Sequence, residues 1–294
     1  MPLHHARVVN RDEEPRRWLC IVHGILGCGG NWRTFARALV DQDPGLGVLL
    51  VDLRHHGRSG PQDGATTMVA CAQDLETIFA SLEIWPSAIA GHSFGGKVVL
   101  AWVERSARPP VEVWILDSPP GLRNHGGDPG ERLIGGLLEA MEGVHLPAQD
   151  RLSVIEELVA SGLPRGVSSW LTTNLRMDSD AGGYTWRLDL DAIRALLVDY
   201  FQFDGWPLVE SSSSASQVHL VRGALSDRWT QAEWQQVTAT SLRNNVFNHV
   251  VEDAGHWLHV DNPSGLRDAL RSGAFFSEMA AGTRIESRPG SEGQ

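Results

Sequence analysis

The sequence predicts an α/β fold in which helices flank a mostly parallel central sheet. Several short apolar runs are nearly continuous, which is typical of strands that are covered on both faces. Between them, helical patterns carry one apolar stripe; in residues 66–82, apolar side chains recur at steps of four and three. This alternation through the first 118 residues favours a parallel sheet with right-handed crossovers. The predicted strands cover residues 19–24, 47–54, 87–93, 111–118, 217–223 and 245–255.

The alternation of strands and helices stops at Pro119. From there to about Ser216 the pattern indicates helices and loops without a convincing strand, so we expect a helical cap inserted after the strand that ends at Asp117. The serine-rich tract at residues 211–216 is typical of a solvated linker that returns the chain to the sheet. The predicted units are a core of residues 1–118 and 217–280, a helical cap of residues 119–216, and a disordered polar tail of residues 281–294.

The composition argues against several classes of function. The 294 residues carry 25 basic and 36 acidic side chains, a net charge of −11, which disfavours a nucleic-acid partner because phosphate binding needs clustered Lys and Arg. No apolar run has the length of about 18 residues that spans a bilayer, and no secretory signal is readable near the N-terminus. Three cysteines without a C-x-x-C pair predict neither a disulfide framework nor a zinc site. We therefore expect a cytoplasmic protein that acts on a small molecule; the composition fits a monomer and a dimer equally well.

The pentapeptide GHSFG places Ser93 between a predicted strand and a predicted helix. G-x-S-x-G in this context is the nucleophile elbow of the α/β-hydrolase fold. A strained turn projects the Ser93 hydroxyl, while Gly91 and Gly95 leave room for neighbouring chain. A tight turn without a chemical role is the alternative, since the pattern is short; the strand before it and the helix after it favour a nucleophile.

A glycine-rich turn follows the first predicted strand, in the segment VHGILGCGGNW. In a hydrolase, a bend after this strand turns the N–H of Ile25 toward the serine, and the N–H of Phe94 supplies the second donor of an oxyanion hole. A dinucleotide-binding loop is the alternative, with Asp52 as the ribose ligand. Trp32 stands where the third glycine of G-x-G-x-x-G is required, so we disfavour that alternative and expect no cofactor.

A general base is expected late in the chain, after the last predicted strand. His256 in the segment VVEDAGHWLHVDNP meets this expectation, because a loop at a strand end can bring its imidazole over the serine. His259 is expected on the following helical turn, facing elsewhere, and His55 and His56 fit a sharp turn better than a base. The pair of His256 and His259 lacks a partner carboxylate at recognisable spacing, so we expect no metal.

Two aspartates at predicted strand ends compete for the third position of a triad. Asp117 ends its strand, where it can reach the imidazole of a neighbouring strand's loop. Asp227 lies 29 residues before His256 and follows the usual chain order, but the usual position, three residues after Gly223, holds Ser226. Either aspartate has an alternative role as a cap of its own turn or helix. We favour Asp117 and keep Asp227 as the alternative.

The expected cap supplies an apolar pocket for the acyl group of a substrate. Its amphipathic segments contain large side chains, most of which fit an ordinary core equally well. The predicted substrate-binding residues are His92, Leu26, Trp170, Leu171, Tyr184 and Trp257, with Leu137, Met141 and Leu175 as further lining residues.

Several segments together resemble one known family. The segments HGILGCGGNW, VDLRHHGRS, GHSFGGKV, ILDSPP and DAGHWLHVDNP, and the stretch LTTNLR…YTWRLDLDAI within the cap, look like the α/β-hydrolase domain-containing protein 11 group and its small bacterial esterase relatives. The resemblance runs from about residue 18 to about residue 270 and includes the cap.

This resemblance implies a serine esterase or related acyl hydrolase with a helical cap and no cofactor. We expect it to act on carboxylic esters of small to medium acyl chain. It implies Ser93 as the nucleophile and His256 as the base, and it favours Asp117 as the acid. The chain departs from the family in having Asp227 as well, and Cys28 beside the oxyanion turn. A thioester, lactone or carbon–carbon bond hydrolase on the same triad, or a ligand receptor without catalysis, are the alternatives.

Overall fold

The computed structural model describes residues 2–123, 129–211, 216–242 and 245–276. Within these ranges, seven strands form one central sheet and two more form a separate ribbon. The strands are β1 (His5–Val8), β2 (Arg17–Val22), β3 (Leu46–Val51), β4 (Ala88–His92), β5 (Glu112–Leu116), β6 (Leu175–Asp178), β7 (Gly183–Trp186), β8 (Gln217–Gly223) and β9 (Val246–Val251).

The central sheet has the strand order β1-β3-β2-β4-β5-β8-β9. Only β1 runs antiparallel to its neighbour, and the other pairs in the sheet are parallel. The prediction of a mostly parallel α/β fold is therefore confirmed, and all six predicted strands are present. The edge strand β1 was not predicted, because its sequence HARV carries two polar side chains in four residues and lacks a clear apolar run.

Helices cover both faces of the sheet. One buried cluster joins α1 and α11 to the sheet, and another joins the opposite face to α2, α3 and the helices between β5 and β8. Each face of the inner strands is therefore apolar, as the continuous apolar runs predict. The helices are α1 (Arg33–Gln42), α2 (Met68–Leu82), α3 (Phe94–Arg105), α4 (Pro129–Glu142), α5 (Arg151–Ala160), α6 (Arg165–Leu171), α7 (Leu190–Gln202), α8 (Trp206–Glu210), α9 (Gln231–Ser241), α10 (Leu258–Asp261) and α11 (Pro263–Arg271).

The segment between β5 and β8, here called the insertion, contains α4 to α8 and the ribbon of β6 and β7. The expectation that this segment contains no strand was wrong. The chain changes from helix to strand here: α6 ends at Leu171, a single 3₁₀ turn follows, and β6 begins at Leu175. The hydroxyl groups of Thr172 and Thr173 donate to the backbone carbonyls of Ser169 and Trp170, and such local bonds compete with the helix.

A buried lysine of α3 connects this helix to the insertion. Lys97 lies one turn into α3, and its ammonium donates to the carbonyls of Gly121, Tyr200 and Phe203 at 2.7, 3.0 and 2.9 Å. The ammonium also lies 4.5 Å from the centre of the Tyr200 ring. A fully buried cation is tolerated only with such partners, so the insertion is fastened to the helix that begins beside Ser93.

The helices of the described ranges are all too short or too polar to cross a bilayer. The predicted tail, residues 281–294, lies outside the described residues. The division of the chain into a core and a cap stays a prediction.

Candidate active site

The parallel strands bring the candidate site residues to one edge of the sheet. Each of the loops after the carboxyl ends of β2, β4, β5, β8 and β9 starts at this edge. These loops carry, in chain order, Ile25, Ser93, Asp117, Arg228 and His256. In open α/β sheets, ligands bind at this edge, so residues that are far apart in sequence meet here.

Ser93 is the single residue between β4 and α3. Its backbone lies at φ 52° and ψ −119°, a strained conformation for a residue other than glycine. The amide of Ser93 donates to the carbonyl of Leu116 at 2.9 Å, and its own carbonyl accepts from the amide of Gly96 at 2.8 Å. These bonds hold the sharp turn that the G-x-S-x-G pattern predicts.

The two glycines of this pattern are required by close packing. A Cβ atom on Gly91 would lie 2.2 Å from the carbonyl oxygen of Gly95. A Cβ atom on Gly95 would lie 2.5 Å from the carbonyl oxygen of His23, at the end of β2. The elbow therefore approaches the neighbouring strand more closely than any side chain would allow.

His256 and Asp117 are in direct contact. Nδ1 of His256 lies 2.7 Å from Oδ2 of the fully buried Asp117 carboxylate. The same carboxylate accepts from the Ser226 hydroxyl at 2.6 Å, from the Gly223 amide at 3.2 Å and from the Trp229 indole at 3.1 Å. Donors on both oxygens fix the carboxylate, and with it the plane of the imidazole.

Asp227 occupies a different environment. Its side chain is 74% exposed, and its ion-pair partner among the described residues is Arg228, at 3.4 Å. Ser226 stands at the position that usually holds the acid in this loop, and its hydroxyl donates to Asp117 instead. The two aspartates that compete in the sequence are thus clearly separated by their contacts.

The expected oxyanion donors, Ile25 and Phe94, line the same cavity as Ser93. Phe94 is the first residue of α3, whose leading N–H groups have no acceptor within the helix. The carbonyl of Leu26, the next residue after Ile25, accepts from the side chain of Asn174 at 2.8 Å. Asn174 belongs to the insertion, which therefore helps to fix the loop that carries Ile25.

A buried histidine fixes the start of that loop. Burial lowers the pKa of His23, so its ring is neutral near neutral pH. Nε2 of His23 accepts from the amide of Leu53 at 3.0 Å, so the ring proton is on Nδ1. Nδ1 lies 2.8 Å from the carbonyl of Gly24 and donates to it, which fixes the peptide that precedes Ile25.

A cavity of about 500 Å³ opens at this edge and is lined by Ser93, Asp117 and His256. Of the residues predicted to bind substrate, His92, Leu26, Trp170 and Trp257 line it, as does Leu137. Leu171 and Tyr184 do not belong to the lining, nor do Met141 and Leu175. Lining residues that were not predicted include Arg123, Ile134, Leu197, Tyr200, Phe201 and Arg228.

Leu171 and Tyr184 were predicted to line the cavity, but they pack elsewhere. Leu171 is fully buried within the insertion. Tyr184 lies in β7, pairs through its backbone with Ala148, and has the Arg151 guanidinium 5.2 Å from its ring centre. Leu171 therefore belongs to the core of the insertion, and Tyr184 is half-buried and packs against the same core. The sequence shows that such side chains are buried but not which neighbour covers them.

A model of the alpha/beta hydrolase family matches residues 21–269. The chain belongs to this family. The resemblance to the α/β-hydrolase domain-containing protein 11 group is confirmed as well. The sn-1-specific diacylglycerol lipase ABHD11 of Mus musculus is 29% identical over 264 residues, covering 86% of this chain and 80% of the relative.

Other relatives extend the comparison to bacteria. Esterase YbfF of Escherichia coli is 23% identical over 256 residues, covering 86% of this hydrolase and 91% of the relative. Among solved structures, one described as a marine microorganism esterase superposes with a TM-score of 0.74 at 21% identity, covering 95% of this chain and 98% of that one. This structural likeness shows the shared fold.

His259 lines the cavity of this hydrolase, and the expectation that it faces elsewhere was wrong. It does lie on the predicted helical turn, α10, but its ring stacks on Trp32 with centres 3.9 Å apart. Burial lowers the pKa of His259 to about 4, and the charge of His256 contributes further. The part of the chain that the structure describes contains no cluster of three or more His, Cys, Asp or Glu placed to hold a metal.

His259 should make the fold sensitive to acid. Its pKa in the folded chain is about 4, below the unfolded value of about 6.5. Its contribution to stability is therefore complete above about pH 6.5 and is lost as the pH falls, by about 1.4 kcal/mol per unit. Between about pH 7 and about pH 5, we expect the unfolding free energy of the wild type to fall by about 2 kcal/mol more than that of His259→Phe, a variant that keeps a ring over Trp32. Urea unfolding measures this difference; equal losses would contradict it.

His92 connects the elbow to the loop that carries His256. Its Nε2 lies 2.8 Å from the backbone carbonyl of His256, and the two rings are 4.7 Å apart. Burial holds the pKa of His92 well below its usual range, and the neighbouring His256 lowers it further. Because a carbonyl only accepts, the neutral ring carries its proton on Nε2 and donates it there. His92 thus positions the His256 backbone.

Two amide substitutions separate this positioning role from packing. The side-chain nitrogen of His92→Gln reaches about as far as Nε2, whereas that of His92→Asn reaches only as far as Nδ1. We expect kcat/KM for ester substrates to stay within about tenfold in His92→Gln and to fall about a hundredfold in His92→Asn, as misplaced catalytic groups do. Thermal unfolding midpoints serve as the control for folding. Equal activities of two folded variants would show that the bond to the His256 carbonyl is unimportant.

Proposed function

We propose that this α/β hydrolase cleaves carboxylic esters through an acyl-enzyme on Ser93, with His256 as the general base and Asp117 as its acid partner. The observation that carries the proposal is the contact of 2.7 Å between Asp117 Oδ2 and His256 Nδ1, at the wall of a cavity that Ser93 also lines. An Asp117 carboxylate that accepts from Nδ1–H leaves Nε2 free to take the serine proton.

The reaction then proceeds in two halves. His256 removes the proton of Ser93 as Oγ attacks the ester carbonyl carbon, and the amides of Ile25 and Phe94 stabilise the oxyanion of the tetrahedral intermediate. The imidazolium returns the proton to the departing alcohol, which leaves the acyl group on Ser93. Water, activated by His256, attacks the acyl-enzyme in the second half and releases the acid.

The cavity supports a substrate of small to medium acyl chain. Its volume of about 500 Å³ lies within the range of about 300–1,000 Å³ for small-molecule sites. Apolar side chains of α4 and α7, among them Ile134, Leu137 and Leu197, cover it from the insertion. Two of the relatives, an esterase and a diacylglycerol lipase, are carboxylic ester hydrolases by name and support the same class here.

A series of p-nitrophenyl esters, from acetate to dodecanoate, tests the proposal. We expect turnover with the highest kcat/KM at short to medium chains, and labelling of Ser93 by a fluorophosphonate probe. Matched acyl thioesters and lactones in the same assay show whether the same triad prefers another acyl bond. Release of p-nitrophenol that does not depend on Ser93, or the absence of any release, would refute the proposal.

A further inference from the structure

Arg228 is one of the residues that line the cavity containing Ser93 and His256. It lies in the loop between β8 and α9, and its side chain is only 16% exposed. Most of the surrounding lining is apolar, including Phe201 and Trp257. A cation in such surroundings is costly unless an anion or several acceptors meet it.

The described residues give this cation little charge compensation. The ion-pair partner of Arg228 is Asp227, at 3.4 Å, and Asp227 is 74% exposed, so water screens much of its charge. Nε of Arg228 is buried and has no hydrogen-bond acceptor in the described part of the chain. Neither Nη atom of Arg228 belongs to the buried atoms without a partner, and neither forms a hydrogen bond within the described residues, so the Nη atoms are the part of the guanidinium that a ligand can reach.

The other charged side chains among the described lining residues have partners within the chain. Asp117 accepts from His256, and Asp261 accepts from the amide of Gly255 at 2.9 Å. Arg123 lies 3.8 Å from Glu233 and donates to the carbonyl of Arg228. Among the lining residues that the structure describes, Arg228 is therefore the cation without a buried carboxylate partner.

We propose that Arg228 binds a carboxylate carried by the substrate, so that the preferred esters are those with a free acid group besides the ester bond. This inference rests on the proposed function. A guanidinium and a carboxylate match as a planar, two-bonded pair, and a single available positive charge suits a monoanion better than a phosphate dianion. The net charge of −11 repels anions at long range, so the preference arises from this local contact rather than from steering.

Two pairs of esters test the inference, one for each side of the scissile bond. On the acyl side, p-nitrophenyl hydrogen adipate is compared with its methyl ester; on the alcohol side, p-carboxyphenyl hexanoate is compared with its methyl ester. The quantity measured is the ratio of kcat/KM for the acidic member to that for the neutral member. For the wild type, we expect this ratio to exceed, in at least one pair, the ratio of the alkaline hydrolysis rates of the same two esters.

Variants assign this preference to the side chain. We expect Arg228→Gln to lower the ratio about ten- to a hundredfold in the preferred pair, as the loss of a charged hydrogen bond does. Because the ratio is taken within one variant, any change common to the acidic and the neutral ester cancels. Arg228→Lys keeps the charge without the planar fork and should retain part of the preference. Arg222→Gln is the matched control, since it removes the same charge from β8, outside the cavity lining, and should leave the ratio unchanged.

The outcomes separate this inference from the proposed function. Suppose that the wild type cleaves neutral esters in a Ser93-dependent manner while neither of its kcat/KM ratios exceeds the corresponding ratio of alkaline hydrolysis rates. In that case the inference fails and the proposed function stands. An equal fall for acidic and neutral esters in Arg228→Gln would make Arg228 a structural residue and overturn the inference. If no ester of either kind is cleaved through Ser93, both fail.

Discussion

Replacement of Ser93 by alanine is expected to lower kcat/KM for p-nitrophenyl esters by at least about 10⁴-fold, because the acyl-enzyme cannot form without Oγ. The fold should be unaffected. A serine before a helix commonly caps it, and the loss of such a cap costs about 1 kcal/mol. Ser93 makes no side-chain capping bond to α3, so alanine removes no such contact. The positive φ strains alanine about as much as serine.

Steady-state kinetics and thermal unfolding together check this result. Ser106 provides a matched control, because it follows the last residue of the same helix and its hydroxyl accepts from the amide of Arg108, remote from the cavity. Ser106→Ala should keep wild-type kinetics. If Ser93→Ala retained full activity while folded, or lost activity only because it unfolded, the assignment of the nucleophile would be wrong.

The sequence predicts the elements that position the site, since each depends on a local pattern. The sequence alone reveals the apolar runs of β4 and β5 and the two glycines near Ser93. Strand burial and the close approach at the elbow allow few other residues at these positions. The loop of His256 could also be placed, because it follows the last strand of a parallel sheet.

Other features depend on contacts that no local pattern encodes. Leu171 and Leu175 are four residues apart, a helical spacing, yet the chain changes from helix to strand between them. Tyr184 and Trp170 look alike as large side chains of the insertion, and only their packing decides that Trp170 lines the cavity. His259 and Arg228 were missed for the same reason, since their orientation depends on Trp32 and on the loop after β8.

The choice between Asp117 and Asp227, which the sequence leaves open, yields the second large effect. Asp117→Asn should lower kcat by about 10⁴-fold, because the tautomer of His256 would be reversed. The Asp117 carboxylate is surrounded by the Ser226 hydroxyl, the Gly223 amide and His256, all of which donate to it. An asparagine has one acceptor oxygen and one NH₂ group, and that NH₂ group faces a donor wherever it is placed.

The least strained arrangement of such a variant keeps the asparagine oxygen on the Gly223 amide and turns the NH₂ group toward Nδ1 of His256. Nδ1 must then accept, so the ring proton moves to Nε2, where it blocks removal of the serine proton. Asp227→Asn changes an exposed side chain and should leave kcat within about twofold. Kinetics of the two folded variants decide the matter. A greater loss in Asp227→Asn would move the acid to the loop after β8, and it would require that loop to rearrange until Asp227 displaced Ser226 beside His256.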